Sequence, residues 1–496
     1  MMNAGPREIP GYYYDPDKKK YFKIQANHTV PSGSKYSKDD VKKKKNASLK
    51  RKRVEEHSNR VAAETIKRSE LLRYPLAGGL LKRELGAYRT SRSQLLQQDE
   101  ACIRLFERHR LANVSCNIDF PVSKFIRDPA TGTLLLAINM CAKFNLLSYT
   151  PTKSGLPWRY NLHQRIYRPV MAGHDWVSSI SMGMSSDFLV TSSSPTGESV
   201  HVTAAKVPRA HDDGGSRIYA IEGSTTFCFP GDMIWSSATC PDPTANMFAV
   251  GKSSNLLLVN NIGSGWDLDE VKLRSGSNIM AVEWLTPKMV MMGLADSHVT
   301  FHDVRSGGIA TRLQHPHGVL GVRKADEYRI VVAGQKSNLH MYDLRFAPNG
   351  IATHPQPNNY HHTSTKPYLS FPDFATENIS NDELAVSPEL DLLACTSSSN
   401  KIQLFSLSTG KLVMPAPVYP SSSLLNTQKP RDLPRRPPRQ SINAADATIT
   451  RTPYSEDITC LRFENLDESP AMNGAGGMGK PSLLMSTGCM VEEWRM

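Results

Sequence analysis

The chain has 496 residues, of which 39% are apolar, and it carries a formal net charge of +12 at pH 7. This composition supports a buried core, and no run of residues approaches the roughly 18 consecutive apolar residues that indicate a transmembrane helix. The first residues lack the apolar segment of a secretory signal, and the eight cysteines are scattered without a Cys-x-x-Cys pair. We therefore expect reduced thiols in a cytosolic or nuclear protein.

Basic residues are concentrated at the N-terminal end. Residues 1–60 contain 16 Lys and Arg against 7 Asp and Glu, and residues 61–112 contain 10 against 6. The rest of the chain is close to neutral. Because a polar segment cannot bury enough apolar surface to fold alone, we predict that residues 1–60 are mostly a disordered basic arm.

An aromatic segment interrupts this arm. It is "IPGYYYDPDKKKYFKI", residues 9–24, in which five aromatic residues flank an Asp-Pro-Asp turn. Aromatic side chains usually seek burial, so the segment is a candidate short hairpin that docks on the folded domain or on a partner. Chance clustering is the alternative.

The densest positive charge lies in "KKKKNASLKRKR", residues 42–53. A solvated disordered run is the simplest explanation, whereas a nuclear import signal or a nucleic-acid tether is the functional one. We favour import, and hence a nuclear protein that is also allowed in the cytoplasm. Specific nucleic-acid recognition is not expected, because the run has no interleaved aromatic residues. The residues assigned to import are Lys42, Lys43, Lys44, Lys45, Lys50, Arg51, Lys52 and Arg53.

Residues 61–112 are predicted to be a helical extension. The composition favours a helix from Val54 to Arg73, which the "YPLAGG" break at residues 74–79 ends. A second helix is expected over residues 93–111, where apolar residues approximate one face.

After about residue 113 the pattern changes to short alternating runs separated by turn residues. "MVMMGLADSHVTFHDVRSG" (289–307) and "RIVVAGQKSNLHMYDLRFA" (329–347) each give an apolar strand, a Gly, a polar turn and a second strand. The same frame recurs in segments that begin at residues 131, 186, 246, 390 and 481. Repeats of about 40–45 residues with several strands are typical of β-propellers. We predict an all-β, seven-bladed propeller over residues 113–496, with loop insertions at 347–382 and 413–456.

No segment predicts catalysis, a metal or a cofactor. "GAGGMGK", residues 474–480, begins like a phosphate-binding loop, but Pro481 stands where Ser or Thr is needed. His315 with His317, and His361 with His362, have no Cys or carboxylate at metal-ligand spacing and are interpreted as loop residues. We therefore predict a non-enzymatic protein.

Two Asp-x-Arg boxes are the strongest functional signal. Asp303 and Arg305 end one repeat, and Asp343 and Arg345 end the next, 40 residues later. Such an Asp can simply accept hydrogen bonds from its own turn. Two boxes one period apart, however, would lie side by side on one end of the ring, where a guanidinium held by an acid can bind a partner's carbonyls or carboxylates.

The boxes "HDVR" and "YDLR" resemble the tandem "WD-x-R" boxes of WD-repeat substrate receptors of cullin-4 ubiquitin ligases, although His302 and Tyr342 replace Trp. "PGYYYDPDKKKYFKI" is similar to an N-terminal segment of one branch of these receptors. The resemblance implies an adaptor that brings a substrate protein to the ligase in the nucleus. It also implies that Asp303, Arg305, Asp343 and Arg345 bind the ligase adaptor, damaged-DNA-binding protein one.

A different class of function stays open. In this alternative the protein is a nuclear WD-repeat scaffold for ribosome biogenesis or chromatin, and its basic arm contacts nucleic acid without sequence specificity. Binding driven by phosphates weakens steeply with added salt, so salt dependence separates the two functions.

Overall fold

The computed structural model describes most of the chain, in two compact units formed by residues 1–65 and 66–496. The described residues are 12–15, 18, 20–23, 38–63, 102–103, 105–113, 121–140, 143–151, 160–166, 176–193, 198–207, 224–263, 265–273, 276–346, 365–377, 379–414, 449–450, 452, 454–464 and 481–495. "GAGGMGK" and most of the insertion at 413–456 lie outside them.

In the first unit, the aromatic segment forms an antiparallel hairpin of β1 (Tyr12–Asp15) and β2 (Lys20–Lys23). Tyr14 is opposite Tyr21, and Tyr13 is opposite Phe22. Cross-strand aromatic pairs of this kind stabilise an antiparallel ladder. The candidate hairpin is thus present in the structure.

A helix, α1 (Lys38–Ala63), follows the hairpin. It covers residues that we expected to be disordered, and it begins at Lys38 rather than at Val54. Its sequence is rich in Lys and also contains Arg and Ala, all of which are good helix formers, and no Gly or Pro interrupts it. Local propensity therefore favours a helix through the whole basic run. The remainder of the expected helix, residues 64–73, lies outside the described residues.

The second unit begins with β3 (Glu107–Asn113) and continues as a ring of antiparallel sheets, or blades, numbered here in chain order. Blade one contains β4 (Val122–Arg127), β5 (Leu134–Met140), β6 (Lys143–Pro151) and β7 (Tyr160–Ile166). Blade two contains β8 (Trp176–Met182), β9 (Asp187–Ser193), β10 (Ser199–Lys206) and β11 (Thr225–Pro230). Blade three contains β12 (Ile234–Thr239), β13 (Met247–Lys252), β14 (Asn255–Asn261) and β15 (Trp266–Lys272).

The remaining blades repeat this up-and-down order. Blade four contains β16 (Ile279–Thr286), β17 (Met289–Leu294), β18 (His298–Asp303) and β19 (Gly308–Gln314). Blade five contains β20 (Val319–Lys324), β21 (Arg329–Gly334), β22 (Asn338–Asp343) and β23 (Leu369–Ser370). Blade six contains β24 (Leu384–Ser387), β25 (Leu392–Thr396) and β26 (Ile402–Ser406). Blade seven contains β27 (Ile458–Glu464), β28 (Ser482–Thr487) and β29 (Met490–Arg495), and β3 completes it.

These blades confirm the predicted fold class and the count of seven. The predicted repeat units are the second and third strands of each blade. The first strands of successive blades contact one another around the ring, and β27 returns to contact β4. The structure is therefore a closed seven-bladed β-propeller.

The ring starts earlier in the chain than we expected. Residues 107–113 form a strand, although the expected helix covered residues 93–111, of which 93–101 and 104 lie outside the described residues. β3 pairs antiparallel with β29, so that Arg108 is opposite Trp494. Backbone pairing with a strand at the other end of the chain overrides the local helical pattern.

The insertion predicted at 347–382 is only partly an insertion. Its described residues supply β23, the outer strand of blade five, and a 3-10 helix (Asn381–Glu383) that precedes β24. Asn381 donates from Nδ2 to Ser236 Oγ of blade three at 3.0 Å, and its Oδ1 accepts from the N–H of Val322 in blade five at 3.0 Å. The 3-10 helix thus lies against the first strands of blades three and five, which face the central channel.

Glycine is required where adjacent blades pack most closely. A Cβ placed on Gly293 of β17 would lie 2.5 Å from Cγ1 of Val319, the first residue of blade five. Val319 is fully buried together with Val299, Phe301 and Ile330. The glycine that recurs in the repeats therefore allows neighbouring blades to share one core.

Candidate partner-binding face with two Asp-x-Arg boxes

The two boxes lie on the same end of the ring. Asp303 is the last residue of β18, and Asp343 is the last residue of β22. Each of these strands is the third strand of its blade. Equivalent strands of adjacent blades run in the same direction, so both boxes follow strands that end on one face. We name Asp303 with Arg305 box one, Asp343 with Arg345 box two, and this end of the ring the box face.

In box one, Asp303 holds both the backbone and the side chain of Arg305. The backbone N–H of Arg305 donates to Asp303 Oδ1 at 2.9 Å. Its Nε donates to the same oxygen at 3.2 Å, and its Nη2 donates to Oδ2 at 3.0 Å. The Arg305 side chain is 66% exposed. Asp303 therefore closes its turn and also fixes an accessible guanidinium.

Box two repeats this arrangement with more burial. The backbone N–H of Arg345 donates to Asp343 Oδ1 at 3.1 Å, its Nε donates to Oδ1 at 3.0 Å, and its Nη2 donates to Oδ2 at 2.7 Å. The Asp343 side chain is 2% exposed, whereas the Arg345 side chain is 40% exposed. The guanidinium also lies 5.1 Å from the ring centroid of Tyr328.

The electrostatics of box one favour the charged forms of both residues. The hydrogen bonds from Arg305 lower the pKa of Asp303, and the hydrogen bonds to Asp303 raise the pKa of Arg305. A guanidinium held in this way loses little conformational freedom when it binds an acceptor. The acids thus bond their own turns and also orient the arginines, whereas binding of these arginines to a partner stays a prediction.

His302 and Tyr342, which stand where the boxes of cullin-4 receptors have Trp, are both buried. His302 is 1% exposed and Tyr342 is 2% exposed. The hydroxyl oxygen of Tyr342 lies 2.9 Å from Nδ1 of His315, which is itself 1% exposed. His315 lies in the loop between β19 and β20, as expected, but it is buried there rather than exposed to solvent. Its position four residues before the first strand of blade five is the signal that could have indicated a buried role.

The import residues lie on α1. The side chains of Lys42, Lys43, Lys50, Arg51, Lys52 and Arg53 are exposed, and Lys44 and Lys45 belong to the same helix. The helix displays positive charge on several sides rather than along one stripe. It can therefore be reached by a receptor or by a polyanion.

A cavity of about 510 Å³ lies in the central channel, lined by ends of first strands that point toward the box face. Two of the acids that line it are paired with cations: Asp382 Oδ2 lies 2.9 Å from Nζ of Lys124, and Glu283 Oε2 lies 3.0 Å from Nη1 of Arg323. Burial raises the pKa of Asp382, but Lys124 and neighbouring arginines lower it by more, so the carboxylate stays charged. These ion pairs are the arrangement expected of structural buried charges.

The described residues contain neither a candidate cluster of metal ligands nor a candidate membrane-spanning helix. No group of three or more His, Cys, Asp or Glu side chains in this part of the chain is arranged to hold a metal ion. Within the same residues, no helix has the length and apolar character needed to cross a membrane.

No family model matches the chain. WD repeat-containing protein 21 of Schizosaccharomyces pombe is 21% identical over 355 residues, which are 70% of this chain and 78% of that protein. Among solved structures, the β-propeller domain of Myceliophteria thermophila Cps50 (Swd1) gives a TM-score of 0.47 at 10% identity, and the match covers 79% of this chain and all of that one. The seven-bladed ring, together with the WD-repeat relative, supports a WD-repeat β-propeller. That class suggests a protein-interaction scaffold or adaptor.

Proposed function

We propose that the protein is a non-catalytic substrate receptor of a cullin-4 RING ubiquitin ligase. In this function the box face binds the ligase adaptor, damaged-DNA-binding protein one, and another part of the molecule binds the substrate protein. Location in the nucleus, directed by the basic residues of α1, belongs to the same proposal.

The observation that carries the proposal is the shared geometry of the boxes. Asp303 and Asp343 hold Arg305 and Arg345 in the same bidentate arrangement on adjacent blades, and both guanidiniums are accessible. Two such groups at a fixed separation match a partner that presents two acceptors in register. The resemblance of the boxes to those of cullin-4 receptors supports the ligase adaptor as this partner.

The experiment is affinity purification of the tagged protein from cells, followed by mass spectrometry. We expect the adaptor and cullin-4 to be recovered with the unaltered protein and to be reduced with an Arg305→Ala/Arg345→Ala variant. The matched control is Arg312→Ala, which removes an exposed arginine from β19 of blade four. Recovery of neither ligase subunit with the unaltered protein would contradict the proposal.

A second candidate function is supported by the exposed basic side chains of α1. In it, the protein is a nuclear scaffold whose helix binds RNA or DNA through phosphates. Such binding falls steeply between about 50 and 200 mM salt. If nuclease treatment and 200 mM salt release all partners, the nucleic-acid scaffold is favoured over the ligase receptor.

A further inference from the structure

Box one has a lysine beside it. The backbone N–H of Val304 donates to the carbonyl of Lys288 at 3.0 Å, and the residue after Lys288, Met289, is paired with Asp303. This bond places Lys288 next to the box, in the turn between β16 and β17. The Lys288 side chain is exposed, and among the described residues it makes no ion pair.

Box two has a tyrosine in the equivalent place. The backbone N–H of Leu344 donates to the carbonyl of Tyr328 at 2.8 Å, and the residue after Tyr328, Arg329, is paired with Asp343. The bonding pattern is the same as in blade four, so Lys288 and Tyr328 occupy corresponding positions of adjacent blades.

Tyr328 gives box two a different surface. It is 44% exposed, and its ring lies under the guanidinium of Arg345. Its turn is held by Asp326, whose Oδ1 accepts from the N–H of Tyr328 at 2.9 Å and from the N–H of Arg329 at 2.8 Å. Box two therefore presents an aromatic ring with a guanidinium packed on it, on a turn that hydrogen bonds to Asp326 hold in place. Tyr and Arg side chains are enriched at interface hot spots.

Box one presents two cations instead. Arg305 has Asp303 as a counter-charge, and the added Lys288 gives this corner of the face an excess of positive charge. Two exposed cations attract a carboxylate-rich surface, and such attraction is screened by salt. The apolar contact that a partner makes with an aromatic ring is not screened by salt in this way.

We propose that the two boxes bind chemically different parts of one partner. Box one, with Lys288, binds an acidic patch, and box two, with Tyr328, binds an uncharged segment that packs on the ring and accepts hydrogen bonds from Arg345. This inference rests on the proposed function, and it names Lys288 and Tyr328 as contact residues of the ligase adaptor.

The test is the affinity of purified full-length protein for purified damaged-DNA-binding protein one, measured between 50 and 300 mM salt. Lys288→Ala should weaken binding about threefold at low salt and flatten the dependence on salt. Tyr328→Ala should weaken binding about tenfold or more at every salt concentration and leave that dependence unchanged. Tyr328→Phe keeps the ring and serves as the control that should retain affinity.

Each outcome has a distinct meaning. If the unaltered protein does not bind the adaptor, the proposed function fails, and this inference fails with it. If the unaltered protein binds but Lys288→Ala and Tyr328→Ala have no effect, or change the salt dependence equally, the inference alone is overturned. A Tyr328→Ala variant whose melting curve has collapsed is replaced by Tyr328→Ser and Tyr328→Lys, and the same two results then decide the question.

Discussion

Arg108 and Glu492 join the first and last strands of the propeller, β3 and β29. Arg108 Nε lies 2.8 Å from Glu492 Oε2, and Arg108 Nη2 lies 2.7 Å from Oε1, although the residues are 384 positions apart in the chain. The Glu492 side chain is completely buried, whereas that of Arg108 is 34% exposed. The hydrogen bonds to Glu492 raise the pKa of Arg108. The pair therefore fastens β3 to β29 with a charge-assisted contact.

Breaking this pair should destabilise the whole ring. Arg108→Ala leaves the buried carboxylate of Glu492 without its cation, which commonly costs about 3 kcal/mol or more. We expect a lower free energy of unfolding in urea and earlier proteolysis at the ends of the ring. An Arg108→Leu/Glu492→Leu variant removes both charges and should recover part of the loss. A single Arg108→Ala variant as stable as the unaltered protein would show that β3 is not needed to close the ring.

His315 should make stability depend on pH. Burial, and then the nearby His340 and His317, hold its pKa at about 3 in the folded protein, against 6.5 for an unperturbed histidine. Between these values the unfolded chain binds more protons, so the stabilisation is fully present above pH 6.5 and declines as the pH falls toward 3. A difference of about 3.5 pKa units corresponds to a free energy on the order of 5 kcal/mol.

The variant that isolates this effect is His315→Phe, compared with the unaltered protein by urea unfolding at pH 7.5, 6, 5 and 4.5. The variant also loses the contact with Tyr342, which lowers its stability at all pH values. Its stability should nevertheless fall less steeply with decreasing pH. Equal slopes would mean that His315 becomes protonated without opening the core.

Much of the ring was predictable from the sequence because its second and third strands are adjacent in the chain. Their alternation and the turns between them are local, so the repeats around Gly293 and Gly334 are visible as a pattern. β3 was missed because its partner, β29, lies at the far end of the chain. The 3-10 helix at Asn381–Glu383 was also missed, since contacts with blades three and five hold it in the channel.

In the candidate site, too, local features could be predicted and contacts between separate turns could not. The positions of Asp303 and Asp343 at strand ends could be predicted from the period of the repeats. The difference between Lys288 and Tyr328 could not, because each lies beside its box only through a backbone bond between separate turns. Likewise, the contact of His315 with Tyr342 joins the loop before blade five to strand β22, 27 residues later in the chain.

The basic helix should control location and leave stability unchanged. Replacing Lys42–Lys45 and Lys50–Arg53 with Ala and Gln removes positive charge while keeping good helix formers in α1. We expect a fluorescently tagged variant to move from the nucleus to the cytoplasm, with the melting temperature of the purified protein unchanged. The matched control replaces Lys18, Lys20 and Lys23 of the hairpin region with Gln. Nuclear fluorescence that persists in the α1 variant would rule out import through this run.

The most direct test of the proposed function is the affinity of the Arg305→Ala/Arg345→Ala variant for purified damaged-DNA-binding protein one, measured by titration beside a melting curve. The side chains of Arg305 and Arg345 are each more exposed than the Asp that holds them, so their removal should affect the fold little. Arg312→Ala controls for the loss of surface charge. Truncating an anchoring arginine commonly costs about 2 kcal/mol, so we predict at least a thirtyfold loss of affinity with a normal melting curve. Unchanged affinity in a normally folded double variant would contradict the account and leave both boxes as turn structure only.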